Sequence, residues 1–90
     1  MSLEKYRTAI DDLDDQLLIL LNKRAEIALK IAREKFDHRI GVLAANREEE
    51  IYTRLNSVNQ GPLHEQHIRE IFGAIISSSK KLQHLYQSYE

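Results

Sequence analysis

The chain has 90 residues, with 13 Lys and Arg against 14 Asp and Glu, a net charge of −1 and no cysteine. That length makes one small domain, of the kind that buries only about 60–65% of its unfolded surface and leans on a partner. The near-balanced charge, with no block of one sign, excludes a nucleic-acid-binding face, and the missing cysteines exclude a disulfide framework, a thiolate metal site and a thiol nucleophile.

Ser2 suits the N-cap of a first helix, and no Gly or Pro interrupts the chain from Leu3 to Asp37. Such a helix is about 50 Å long at 1.5 Å per residue. Ile10, Leu13, Leu17, Leu20, Ile27 and Ile31 recur at steps that align one face. Arg24 falls on the same face. Lys35 lies about 20° from Arg24 around the helix, three turns further on. A guanidinium among leucines costs several kcal/mol, on the order of a buried unpaired ion, unless something anionic meets it. A bound anion is one candidate; a route past its neighbours to water, or an acid across a dimer seam, is the other.

A rod of this length outruns the later segments, so an intertwined homodimer is expected. The residues from about 38 to about 46 lose the helical period and contain Gly41, which reads as a loop. Asn46 caps a second helix, from about 47 to about 59, with Glu48, Glu49 and Glu50 in its first turn and Ile51, Leu55 and Val58 on its apolar face. Asn59-Gln60-Gly61-Pro62 ends it, and Pro62 suits the first turn of a third helix, from about 62 to about 87. Its stripe is Ile68, Ile71, Phe72, Ile75, Ile76, Leu82 and Tyr86, interrupted by Ser79 and Gln83. With no strand pattern, the fold class is all-α: a single domain of one long and two shorter helices. The apolar runs are short, the longest being Leu17 to Leu21, so neither a membrane-spanning helix nor a signal peptide is expected and the setting reads as cytoplasmic.

The candidate chemistry lies in the polar residues on these apolar faces. Arg24, Lys35, Arg47, Glu48, Ser79 and Gln83 each have a structural reading as well: dipole complement, solvated helix start, register-fixing amide. Together, three helices break their own stripes with groups suited to a small polyanion. Arg7 lies about 25 Å along the first helix from Arg24, too far for one small ligand to touch both within one chain. In a dimer, Arg7 of one protomer is free to reach the Arg24 pocket of the other. His64 and His67 find no third ligand at convincing spacing and read as surface residues near a helix start, so no metal is expected. His38 and His84 receive no role.

Arg7, the run L-L-I-L-L-N-K-R ending at Arg24, A-L-K-I-A-R-E-K ending at Lys35, N-R-E-E-E with Arg47 and Glu48, and I-I-S-S-S-K-K-L-Q with Ser79 and Gln83 resemble the all-helical chorismate mutase family over nearly the whole chain. The resemblance implies an intertwined homodimer of three-helix protomers with two shared sites, no cofactor, and rearrangement of the dianion chorismate to prephenate. It implies that Arg24 and the partner chain's copy of Arg7 hold the two carboxylates, with Ser79 adding a hydrogen bond. Lys35 and Gln83 donate to the ether oxygen where charge develops, Glu48 accepts from the ring hydroxyl, and Arg47 adds positive potential. The chain departs from the family at Gly41-Val42-Leu43-Ala44, where relatives carry P-V-x-D: Ala44 offers only its backbone to the substrate hydroxyl, and Gly41 suggests a looser loop. An isochorismate pyruvate-lyase on the same scaffold and a non-catalytic helical dimerisation or sensor domain are the other readings. Fusion to, or association with, another aromatic-pathway enzyme is compatible with all three.

Overall fold

In a computed structural model the described residues form three helices. The structure describes residues 2–37 and 45–88, and the side chains of residues 2–34 and 46–85. Gly41 and Ala44 lie outside the described residues, as do the side chains of Lys35 and Tyr86. Helix α1 spans Leu3–Asp37, α2 Ala45–Val58 and α3 Glu65–Ser88. No strand occurs among the described residues, and none of the helices is long and apolar enough to cross a membrane.

The α2–α3 connection shows why α3 starts at Glu65 and not near Pro62. Asn59 bridges the turn: its Oδ1 accepts from the Gly61 N–H at 3.0 Å and its Nδ2 donates to the Leu63 carbonyl at 2.8 Å. Pro62 is enclosed in that turn, and Gly61 holds φ +78°, a conformation that side chains with a Cβ rarely adopt. The His64 carbonyl then receives the N–H groups of His67 and Ile68 at 3.0 and 3.1 Å. His67 Nδ1 accepts from the His64 N–H at 3.0 Å. The bond from the His64 N–H to His67 is the half of a capping box in which the third helical residue reaches back to the N-cap, with imidazole in place of the usual Glu or Gln. The two histidines thus serve the helix start.

Among the described residues, packing is confined to two seams. One joins the C-terminal half of α1 to α3, the other joins α2 to α3, and the buried residues are Ala28, Ala32, Ile51, Ile68 and Ile76. The α1 face that meets α3 is small, formed by Ala25, Ala28 and Ala32, which lets the helices approach closely. It lies about 90° around α1 from the Leu/Ile stripe. Ile10, Leu13, Leu17 and Leu20 are therefore more than half exposed, and so are Leu18 and Ile19. The stripe that looks like the core face of one chain is bare in that chain, because α3 packs on the alanine face and not on the stripe; even Ile27 and Ile31, on the same turns as the buried Ala28 and Ala32, are exposed.

The shape follows from this. The chain measures 57 × 27 × 16 Å, with a radius of gyration of 16.3 Å, against about 12 Å for a compact chain of this length. Its accessible surface of 7625 Å² exceeds by roughly 2,200 Å² that of a typical folded monomer of its mass.

At the outer end of the α2–α3 seam Arg69 joins the helices: its Nη2 lies 3.2 Å from Glu49 Oε2, and its guanidinium stacks 4.6 Å from the centre of the Tyr52 ring. The hydrogen bond and the charge of Glu49 raise the Arg69 pKa above its ordinary value. Gly73, mid-α3, permits this approach, since a Cβ there meets the Tyr52 hydroxyl at 3.2 Å.

Candidate active site

Arg24 is the centre of the site. It is half-buried at the border between the alanine face of α1 and the Leu/Ile stripe. It lines a groove of about 380 Å³ formed by Leu21, Arg24 and Ala25 of α1 with Ala74, Ile75, Ser78, Ser79 and Leu82 of α3. That volume lies within the ordinary range of small-molecule sites, about 300–1,000 Å³. The ion pairs among the described residues are Arg47–Glu50, Arg69–Glu49, Arg69–Glu65 and Lys80–Glu48, and none of them involves Arg24 or Arg7. A half-buried guanidinium on a serine-lined groove without a protein carboxylate has the chemistry to pair with an anion from outside.

One turn of α3 gathers the remaining groups. Ser79 faces Arg24 across the groove. One turn along, Gln83 donates from Nε2 to the Ala28 carbonyl of α1 at 2.9 Å. An amide nitrogen carries two N–H groups, so this bond fixes the side chain and leaves a second donor. Between them, Lys80 pairs with Glu48 of α2, both side chains about one-third exposed. Carboxylate, ammonium, hydroxyl and amide are thus held by one turn of α3 and its partners.

Two of the expected residues stand apart. Arg47 is exposed, and its Nη1 lies 3.5 Å from Glu50 Oε2 on its own helix; among the described residues no ion pair carries it to α1 or α3. Arg7 is exposed near the start of α1, about 25 Å from Arg24 along one continuous helix. The structure of one chain therefore sets Arg24 and Ser79 on one groove, ties Gln83 to α1 and Glu48 to Lys80 within the next turn of α3, and leaves Arg7 apart from them. Lys35 is placed by its backbone on the last turns of α1. Lys80 is the residue that sequence reasoning misses. Its signal is present: it follows Ser79, precedes Gln83 by three and follows Ile76 by four, which puts it on the inward side of α3.

Comparison with known proteins identifies the fold and the family. The sequence profile described as "Chorismate mutase type II" matches residues 6–84. The bifunctional chorismate mutase/prephenate dehydratase of Aquifex aeolicus (strain VF5) is 36% identical over 93% of this chain, which spans 25% of that protein. The protein of the same description from Neisseria gonorrhoeae is 33% identical over 80% of this chain, and 19% of its own length is covered. The chain thus spans a quarter or less of these two relatives. The structure of a chorismate mutase (form II) from Thermus thermophilus superposes with a TM-score of 0.89 at 26% identity, covering 93% of this chain and 96% of that one.

Proposed function

This chain belongs to the chorismate mutase type II family, and we propose that it rearranges chorismate to prephenate in pockets that two copies of the chain complete. The observation that carries the reading is Arg24, a half-buried cation without a carboxylate partner among the described residues, facing Ser79 across a groove of small-molecule size.

The reaction is an intramolecular one: an ether C–O bond breaks while a C–C bond forms, with no nucleophile and no proton transferred. The protein acts by holding the compact conformer and by meeting charge as it gathers on the ether oxygen. Arg24 takes one carboxylate as a bidentate partner, with Ser79 adding a hydrogen bond. Gln83, fixed through Ala28, turns its second N–H to the ether oxygen, joined there by the Lys35 ammonium. Glu48 accepts from the ring hydroxyl, while Arg47 contributes positive potential from the rim.

The second copy supplies what one chain lacks. The bare Leu/Ile stripe of α1, the extended shape and the excess surface of about 2,200 Å² all support an intertwined dimer, since obligate interfaces bury about 2,000–5,000 Å² in total. Pairing two α1 helices buries Leu13, Leu17 and Leu20 and brings Arg7 of one protomer toward the groove of the other, where it holds the second carboxylate. The cysteine-free composition suits a reducing cytoplasm, in which we place the enzyme. The two bifunctional relatives make fusion to, or association with, a second enzyme of the same pathway a natural arrangement for it.

Incubation with chorismate and, separately, with isochorismate tests the reading. Prephenate from chorismate is expected; pyruvate and salicylate from isochorismate, with little prephenate, would move the protein to the lyase. Lys35→Ala separates binding from chemistry. Its donor acts where charge develops, so kcat is expected to fall about 10²–10³-fold while KM changes only a few-fold. A rise in KM at unchanged kcat would contradict that role.

A further inference from the structure

We propose that Lys80 is a positioning residue of this site: its ammonium fixes the Glu48 carboxylate and cancels the negative charge that would otherwise face a dianionic substrate. The inference rests on the mutase reading and on the role of Glu48 in it.

Three observations support it. The pair spans α2 and α3, 32 residues apart in sequence, and has side-chain exposures of 34% and 31%. The other pair joining these helices, Arg69–Glu49, is 45% and 65% exposed, and together with Ile51 and Ile68 it already fastens α2 to α3. Lys80 is therefore not needed as a fastener. Second, Lys80 sits between Ser79, which faces Arg24, and Gln83, which is bound to Ala28. Third, its hydrogen bond is to Oε1 of Glu48. Oε2 remains to accept a hydroxyl proton in a hydrogen bond, and a carboxylate held at one oxygen has a defined direction for the other.

The electrostatic consequence has a clear sign. A site for a dianion gains nothing from a bare carboxylate, which repels both substrate carboxylates at close range. Pairing with Lys80 leaves Glu48 as a directional acceptor while removing most of that repulsion. Its loss weakens substrate binding more than it slows the rearrangement, because the charge is present in ground state and transition state alike.

Steady-state kinetics of prephenate formation by the full chain test this, with Lys80→Met, Lys80→Arg and Glu48→Gln alone and Lys80→Met combined with Glu48→Gln. Lys80→Met is expected to raise KM about tenfold with kcat changed less than about threefold, and Lys80→Arg to stay within about threefold of the natural protein. With Glu48→Gln already in place, Lys80→Met is expected to add less than about twofold. Lys80→Gln gives the same comparison with a polar side chain. An unchanged KM in Lys80→Met and Lys80→Gln overturns the proposal. An equal rise in KM with and without Glu48 also overturns it, because Lys80 would then act independently of Glu48. No prephenate from the natural protein overturns the mutase reading, and this inference with it.

Discussion

Replacing Leu17 by glutamate is expected to abolish both the dimer and most of the helical structure at micromolar protein. Leu17 sits near the middle of α1 on its bare stripe, so any pairing of two α1 helices covers it. A carboxylate there enters an apolar seam twice per dimer, at roughly 3–5 kcal/mol for each unpaired buried charge. One chain offers little to fall back on. Among the described residues the buried ones are Ala28, Ala32, Ile51, Ile68 and Ile76, and no large side chain is fully enclosed. On the proposed intertwined dimer, folding of the protomer is coupled to assembly. Sedimentation equilibrium and far-ultraviolet circular dichroism check the expectation; a helical, cooperatively melting monomer would contradict it.

Arg24→Ala is expected to lower kcat/KM by about 10³-fold, about 4 kcal/mol of transition-state stabilisation, with KM and kcat both affected. The same change is expected to leave the melting temperature unaltered or raised. Arg24 is half-buried beside leucine and alanine and has no carboxylate partner among the described residues. Removing it therefore relieves a desolvation cost without breaking an ion pair. A structural arginine behaves in the opposite way, and loss of stability with activity intact would assign Arg24 to the dimer seam and not to substrate. Chorismate turnover and thermal melting of one preparation distinguish the two.

Much of this architecture is legible because the helices carry their own signals. The uninterrupted stretch from Leu3, the turn residues Asn59-Gln60-Gly61-Pro62 and the stripe through Ile68 and Ile76 define three helices and no strand. What the periodicity does not show is which apolar face of α1 meets which partner. The strong Leu/Ile stripe reads as the core, yet within the chain α3 takes the weaker alanine face. Hydrophobicity measures how much a face gains from burial, whereas close helix packing here depends on small side chains. The start of α3 shifts for a similar reason: Pro62 suits a first helical turn, but the Asn59 side chain claims the surrounding backbone, and His67 supplies a cap that no acid-based pattern flags.

Within the candidate site, Arg24, Ser79, Gln83 and Glu48 stand out in the sequence as polar groups on or beside apolar stripes, and the structure draws them around one turn of α3. Lys80 does not, because a lysine beside another lysine, Lys81, reads as solvated surface until its α2 partner is known. Arg7 presents the converse case. Its distance from Arg24 is fixed by helix geometry, so its role depends wholly on a second chain.

Mixing therefore gives the most direct test of a site shared between protomers. Arg7→Ala and Arg24→Ala homodimers, each expected to be nearly inactive, are unfolded together and refolded at equal amounts. If Arg7 of one chain serves the Arg24 groove of the other, every hybrid dimer contains one intact site and one doubly damaged site. Random pairing then restores about a quarter of the activity of the natural protein. If the two arginines serve the same chain's site, every site carries a defect and mixing restores nothing, which would contradict the shared pocket.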